Sequence, residues 1–99
     1  MIKVLLERRV AKENLTRLIG HLVDLRAAAL KQKGYVTGET LVKRNDTFDV
    51  MTISTWISEE HWKAWTTTEA RIELDDIING IIIGEPKISI YTMPSEGNR

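Results

Sequence analysis

The chain has 99 residues, 42% hydrophobic and 28% charged, the make-up of one globular domain and not of a disordered segment. Fourteen basic and fourteen acidic side chains cancel, which argues against a general nucleic-acid binder, since such a protein needs a basic face to displace counterions. The absence of cysteine excludes disulfides, thiolate metal sites and cysteine nucleophiles.

Residues 2–9 alternate, with Ile2, Val4 and Leu6 on one side and Lys3, Leu5 and Glu7 on the other. That is a strand pattern with apolar character on both faces. Residues 13–32 read as a helix, because Leu15, Leu18, Ile19, Leu22, Leu25 and Ala29 recur at three- and four-residue spacing. Gly34 is placed to end it. Residues 35–44 form a second strand, Asn45-Asp46-Thr47 a turn, and residues 48–57 a third strand. In the third strand Phe48, Val50 and Trp56 share one face, and Met51, Ile53 and Ile57 the other.

Ser58 suits the N-cap of a short helix over 59–65, with Glu59 and Glu60 in its positive first turn. Thr66-Thr67-Thr68-Glu69 spells a capping box and so a break before a further helix. On that helix Ala70, Leu74, Ile77, Ile78 and Ile81 fall along one stripe. Gly80 and Gly84 punctuate its end, Pro86 follows, and residues 87–93 make the last strand. Residues 1–93 are thus one domain and 94–99 a frayed C-terminal tail.

The order is β-α-β-β-α-β, the ferredoxin-like α+β arrangement with an antiparallel four-stranded sheet and helices on one face. The other face, apolar in strands one and three, needs a cover, and a second copy of the chain is the commonest one. A chain of this length buries only about 60–65% of its unfolded surface, which also favours oligomerisation. The start of the chain carries no signal-peptide pattern, and apolar runs such as Ile81-Ile82-Ile83 are far too short to span a membrane. A soluble cytoplasmic protein with no membrane or nucleic-acid partner is the expectation.

Two stretches carry a family resemblance: Gly34-Tyr35-Val36-Thr37-Gly38-Glu39, and Ser54 to Trp65, in which a strand Trp precedes an aromatic-x-x-Trp helix. With the element order, they resemble the antibiotic biosynthesis monooxygenase family over residues 1–93. The resemblance implies a dimeric α+β barrel, with a substrate pocket between sheet and helices in each subunit. It implies chemistry without a cofactor, as in the oxygenases of aromatic polyketides. It would place Trp65 on the pocket wall, with Trp62 beside it. The haem-degrading members of the family pair the pocket Trp with a His ten residues on and with an Asn on the first strand. Here those places hold Asp75 and the stretch Leu5-Leu6-Glu7-Arg8. A carboxylate is no substitute for the neutral proximal ligand of haem.

The residues themselves leave alternatives open. Trp62 and Trp65, three apart, point to nearly the same side of a short helix. They are either the wall of a pocket for a flat apolar ligand or the packing of the helix onto the sheet. Trp56 reads as core. His61 is a candidate base or an exposed histidine, and His21 a boundary residue. Arg26 lies in the apolar stripe of the first helix, either snorkelling or steadying an anion. Asp75 is a second candidate base, or part of a solvated face with Asp76. Tyr35 and Tyr91 are possible phenol donors. The two histidines lack ligand spacing, so no metal site is expected.

Three functions follow as expectations. The first is a cofactor-independent monooxygenase of a small aromatic or quinol-like compound, with Trp62, Trp65 and Tyr35 binding substrate and His61, Asp75 and Arg26 as the reactive set. The second is a binding module for a small apolar ligand or haem. The third is a dimerisation domain with a filled interior.

Overall fold

The structure is a computed structural model that describes residues 1–44 and 48–94. The turn expected at Asn45-Asp46-Thr47 and the tail residues 95–99 lie outside the described residues. The elements run β1 (Ile2–Val10), a 3-10 turn (Lys12–Asn14), α1 (Leu15–Ala29), β2 (Tyr35–Val42), β3 (Asp49–Trp56), α2 (Glu59–Thr66), α3 (Glu69–Asn79) and β4 (Ile82–Thr92). They build the α+β ferredoxin-like fold, with one antiparallel sheet in the order β2-β3-β1-β4.

Alternation in β1 sends Ile2, Val4, Leu6, Arg8 and Val10 to the buried side and leaves Glu7 and Arg9 exposed. Antiparallel pairing carries that division across the sheet. Val4 faces Ser54 and Ile90, Leu6 faces Thr52 and Ile88, and Ile2 faces Trp56. On the opposite face Leu5 meets Ile53, Glu7 meets Met51, and Met51 meets Leu41. Across this face Lys3 Nζ donates to Thr55 Oγ1 at 3.0 Å and Arg9 Nε to Asp49 Oδ1 at 3.2 Å.

Four elements differ from the pattern expected of the sequence, each for a local reason. The first helix is shorter than 13–32: residues 12–14 tighten into a 3-10 turn, and beyond Ala29 the chain unwinds. There Lys31 N–H donates to the Ala28 carbonyl at 3.2 Å and Gln32 N–H to that of Ala29 at 2.9 Å. Gly34 then takes a φ of +89°, which a side chain would strain. The cap of α3 is Thr68, whose Oγ1 accepts from Arg71 N–H at 3.3 Å. Thr66 still belongs to α2 and donates its hydroxyl back to the Lys63 carbonyl at 2.6 Å, one of the carbonyls a helix end leaves free.

The inward stripe of α3 is also turned by one residue. Arg71 and Ile78 are buried, while Ala70 is exposed and Ile77 is 49% exposed. Arg71 is tolerated inside because it meets both an acid and a ring there, described below. Finally, β4 starts at Ile82 and not at 87, so Gly84 punctuates a strand and not a helix. Its register against β1 jumps from Glu7–Lys87 to Arg9–Ile83, with Gly84 (φ +71°) and Pro86 in the irregular stretch. A proline there forfeits no needed ladder bond, since β4 is an edge strand.

The covered side of the sheet packs in two clusters. Val10, Leu18, Leu22, Val50 and Ile78 make an aliphatic one. Ile2, Val4, Ala29, Trp56 and Trp65 make the other, with Leu25, Ala28, Tyr35 and Trp62 against it. No helix among the described residues is long and apolar enough to cross a membrane.

Candidate functional site

The aromatic cluster is ordered by strand pairing. Tyr35 of β2 stands directly opposite Trp56 of β3, and their rings meet edge to face at 5.3 Å and 87°. Trp56 is fully buried and donates its indole N–H to Ser54 Oγ at 3.0 Å, so its polar edge is satisfied. Trp65 comes down from α2 and stacks on Trp56, with centroids 6.3 Å apart and planes 25° from parallel. A residue inserted in β2 after Tyr35 shifts its register against β3, and two residues past that bulge stands Gly38. A Cβ at Gly38 would collide with the Tyr35 hydroxyl, so glycine is what lets the phenol lie over the β2 backbone.

Beside these rings a cavity of about 70 Å³ opens between sheet and helices. Its apolar walls are Val4, Leu6, Leu22, Leu25 and Ala29 together with Tyr35, Trp56, Trp62 and Trp65. Gly38, Thr40, Thr52 and Ser54 supply polar edges. Three arginines also line it, Arg8, Arg26 and Arg71; Glu39 touches it from the β2 backbone side, since its pairing with Ile53 puts its side chain on the opposite sheet face.

The arginines differ in setting. Arg26 is exposed on α1 and stands at the mouth. Arg71 is only 7% exposed. Its Nε donates to Asp75 Oδ2 at 2.7 Å, one helical turn on, and its Cζ lies 5.7 Å over the Trp65 ring. An ion pair on one side and a cation–π contact on the other account for a charge at this depth. Arg8 has neither. It is 3% exposed, and its Nε and Nη1 find no hydrogen-bond partner among the described residues. Burial pushes its pKa down to about 10, below the usual arginine range; Asp75 works against that shift and Arg71 adds to it.

The cavity therefore brings together Trp62, Trp65, Tyr35 and Arg26 of the residues singled out from the sequence. It does not include two others. His61 sits in the first turn of α2 with Nδ1 2.7 Å from Ser58 Oγ, and its backbone N–H donates to the same oxygen at 3.2 Å. The ring also packs on Gly34, where any Cβ would strike it. His61 is a capping and packing residue and does not line the cavity. Asp75 does not line it either, since its carboxylate is engaged behind Arg71. Of the reactive set expected from the sequence, Arg26 lines the cavity and His61 and Asp75 do not; the buried charges at the cavity are Arg8 and Arg71. Both were legible in principle. Arg8 is in phase with Ile2, Val4 and Leu6 in β1, and Arg71 lies seven residues before Ile78 on α3.

A sheet of order β2-β3-β1-β4 with helices on one side and a cavity between them is a recurrent arrangement, and solved structures share it. The cofactor-independent oxygenase SnoaB from Streptomyces nogalater, in a point-mutant form, superposes with a TM-score of 0.86 at 10% identity, over 99% of this chain and 97% of that one. A conserved protein from Methanosarcina mazei Go1 gives 0.86 at 17% identity, over 91% and 89%. A conserved protein of unknown function from Bacteroides thetaiotaomicron gives 0.83 at 23%, over 91% and 94%. At these identities the likeness is one of fold. Residues 1–73 match the family model described as antibiotic biosynthesis monooxygenase, and the chain belongs to that family. No curated protein sequence matches it.

Proposed function

We propose that the protein is a cofactor-independent monooxygenase of a small aromatic or quinol-like compound, bound in the cavity between sheet and helices. The observation that supports it best is the joining of aromatic walls to a buried guanidinium in one cavity. Aromatic rings hold a flat substrate and keep water out, and a fixed positive charge in a dry site stabilises the anion that deprotonation creates. The reduced substrate then supplies the electrons itself. A quinol anion gives up electrons to dioxygen, one oxygen atom bonds to a ring carbon, and the O–O bond breaks. The second oxygen leaves as water, and the ring ends as a hydroxyquinone, so no external reductant is needed. Arg8 is the candidate for the anion-stabilising group, with Trp56, Trp62, Trp65 and Tyr35 as the wall. The proton goes to solvent at the open mouth.

The working unit is proposed to be a homodimer closed through the uncovered sheet face. Leu5, Met51 and Ile53 at its centre and Leu41 and Tyr91, 49% and 58% exposed, at its flanks are a large apolar surface for a lone chain. Ile53→Glu should convert a dimer to a monomer in sedimentation; a wild-type chain that is monomeric at all concentrations would sink this part.

The test of the reaction is oxygen uptake with hydroquinone under ¹⁸O₂. One ¹⁸O atom in each hydroxyquinone, formed faster than without protein, is the expected result. A rate equal to the protein-free rate would leave the second reading, a non-catalytic module for a small apolar ligand. One observation favours that reading: neither His61 nor Asp75, the bases the sequence offered, lines the cavity.

A further inference from the structure

The unpartnered charge at Arg8 says more about the ligand than the aromatic walls do. Buried polar groups in folded proteins are almost always hydrogen-bonded, and a buried cation with open donors is the costliest exception. Two donor atoms of Arg8, both buried, have no hydrogen-bond partner among the described residues, in a residue 3% exposed that lines the cavity. Its neighbour Arg71 spends Nε on Asp75. Asp75, the acid that acts on both arginines among the described residues, is thereby taken by Arg71. Glu39 adjoins the cavity from β2, but its pairing with Ile53 puts its exposed side chain on the other sheet face.

We propose that Arg8, backed by Arg71, is an anion-binding wall of the cavity and that the ligand is a single-ring aromatic acid whose carboxylate it holds. This rests on the reading of the cavity as a ligand site and narrows what that site takes. A carboxylate is already ionised at neutral pH and brings its charge without a proton to lose, whereas a neutral phenol has a pKa near 10 and would leave the guanidinium uncompensated. Charge-assisted hydrogen bonds to it are the strong kind. The ring would lie against Trp56 and Trp65. Size limits it to one ring. The cavity is about 70 Å³, under half of the roughly 150 Å³ that takes up benzene in an engineered protein core, so even one ring must project through the open side.

The test is calorimetric titration of the full chain with two matched pairs, benzoate against benzamide and 2,5-dihydroxybenzoate against hydroquinone. Each acid should bind at least about tenfold tighter than its neutral partner, a ratio typical of a buried charge-assisted contact. Arg8→Met should erase that preference, and Arg26→Met, at the mouth, should keep most of it. Should Arg8→Met fail to fold, the wild type alone decides: benzoate should raise Tm and an equal concentration of benzamide should not. Equal binding of acid and neutral partner, no binding of either acid, or a preference that survives Arg8→Met would each overturn the proposal. The oxygenase reading fails separately. Tight 2,5-dihydroxybenzoate binding with no oxygen consumed leaves the acid site standing and removes the reaction. Hydroquinone oxidised without any advantage to the acid does the reverse.

Discussion

The two halves of the covered sheet face are built from different side chains, and only one of them leaves room. At the Val10 end, Leu18, Leu22, Val50 and Ile78 interdigitate, with Leu15, Ile19, Ile81 and Ile82 around them. Branched aliphatics of similar size fill space closely there, and of that cluster only Leu22, and Leu25 packed against it, touch the cavity. At the Ile2 end, rigid rings meet at 5.3 and 6.3 Å, and most of the cluster faces the cavity. Flat rings set edge-on and stacked cannot close every gap between a strand and two helices. Close packing is concentrated in one half and the cavity in the other.

The sharpest way to break that division is Leu18→Ala. Leu18 is fully buried in the aliphatic half and does not touch the cavity, so urea unfolding should show a loss of about 3 kcal/mol. Ligand affinity under native conditions should be unchanged. A parallel loss of affinity would mean the halves are one unit.

Arg8→Met should shift stability the other way. Arg8 adjoins the aromatic half as a buried cation with open donors, and an apolar side chain of like length removes that cost, raising stability by about 1–3 kcal/mol. The pH dependence follows from the sign of the shift. Folding pushes the Arg8 pKa down to about 10, below its unfolded value, so above pH 10 the unfolded chain binds more protons and stability rises with pH. Below 10 the cost is full and constant. The advantage of the Met variant should therefore be flat through neutral pH and shrink above pH 10, as read by urea midpoints across pH. A Met variant less stable than wild type at pH 7 would show that the guanidinium is satisfied after all.

Trp65→Phe should cost less in folding, about 1 kcal/mol, because a ring is kept against Trp56 and the space lost merges with a cavity already present. Its effect on ligand should be larger, since the indole both lines the site and lies 5.7 Å beneath Arg71. About tenfold weaker binding by titration is expected, the mirror image of Leu18→Ala.

The order of elements and the aromatic wall were legible in the sequence because alternation and three-four spacing are strong signals over eight or more residues. Ile2, Val4 and Leu6 alone decide which face of β1 is covered. The boundaries that went astray depend on single hydroxyls and glycines. Thr66 and Thr68 both have the chemistry of a cap, and only the length of α2 decides between them. Gly84 reads equally well as a helix end or as a strand irregularity. The site was half legible. Aromatic residues announce a wall, but a buried arginine is read as a surface one unless its phase is followed past the last apolar residue, as it is from Leu6 to Arg8. His61 is the opposite case: a histidine near two tryptophans reads as chemistry, and in the structure its ring rests on Gly34 and outside the cavity lining.

That last point can be tried at the smallest expected cost. Ser58 caps α2 and holds His61 through both its backbone N–H and its ring. Ser58→Ala should lose about 1 kcal/mol, the usual value of such a cap. It also frees the imidazole of a partner 2.7 Å away. Were His61 the base of the reaction, removing that partner would alter its basicity or its aim, and the turnover number for quinol oxidation would change. With His61 a packing residue at the edge of the aromatic half, the expected result is a lower urea midpoint and an unaltered turnover number. A changed turnover number at full folding would return His61 to the site and push the functional boundary out to the start of α2.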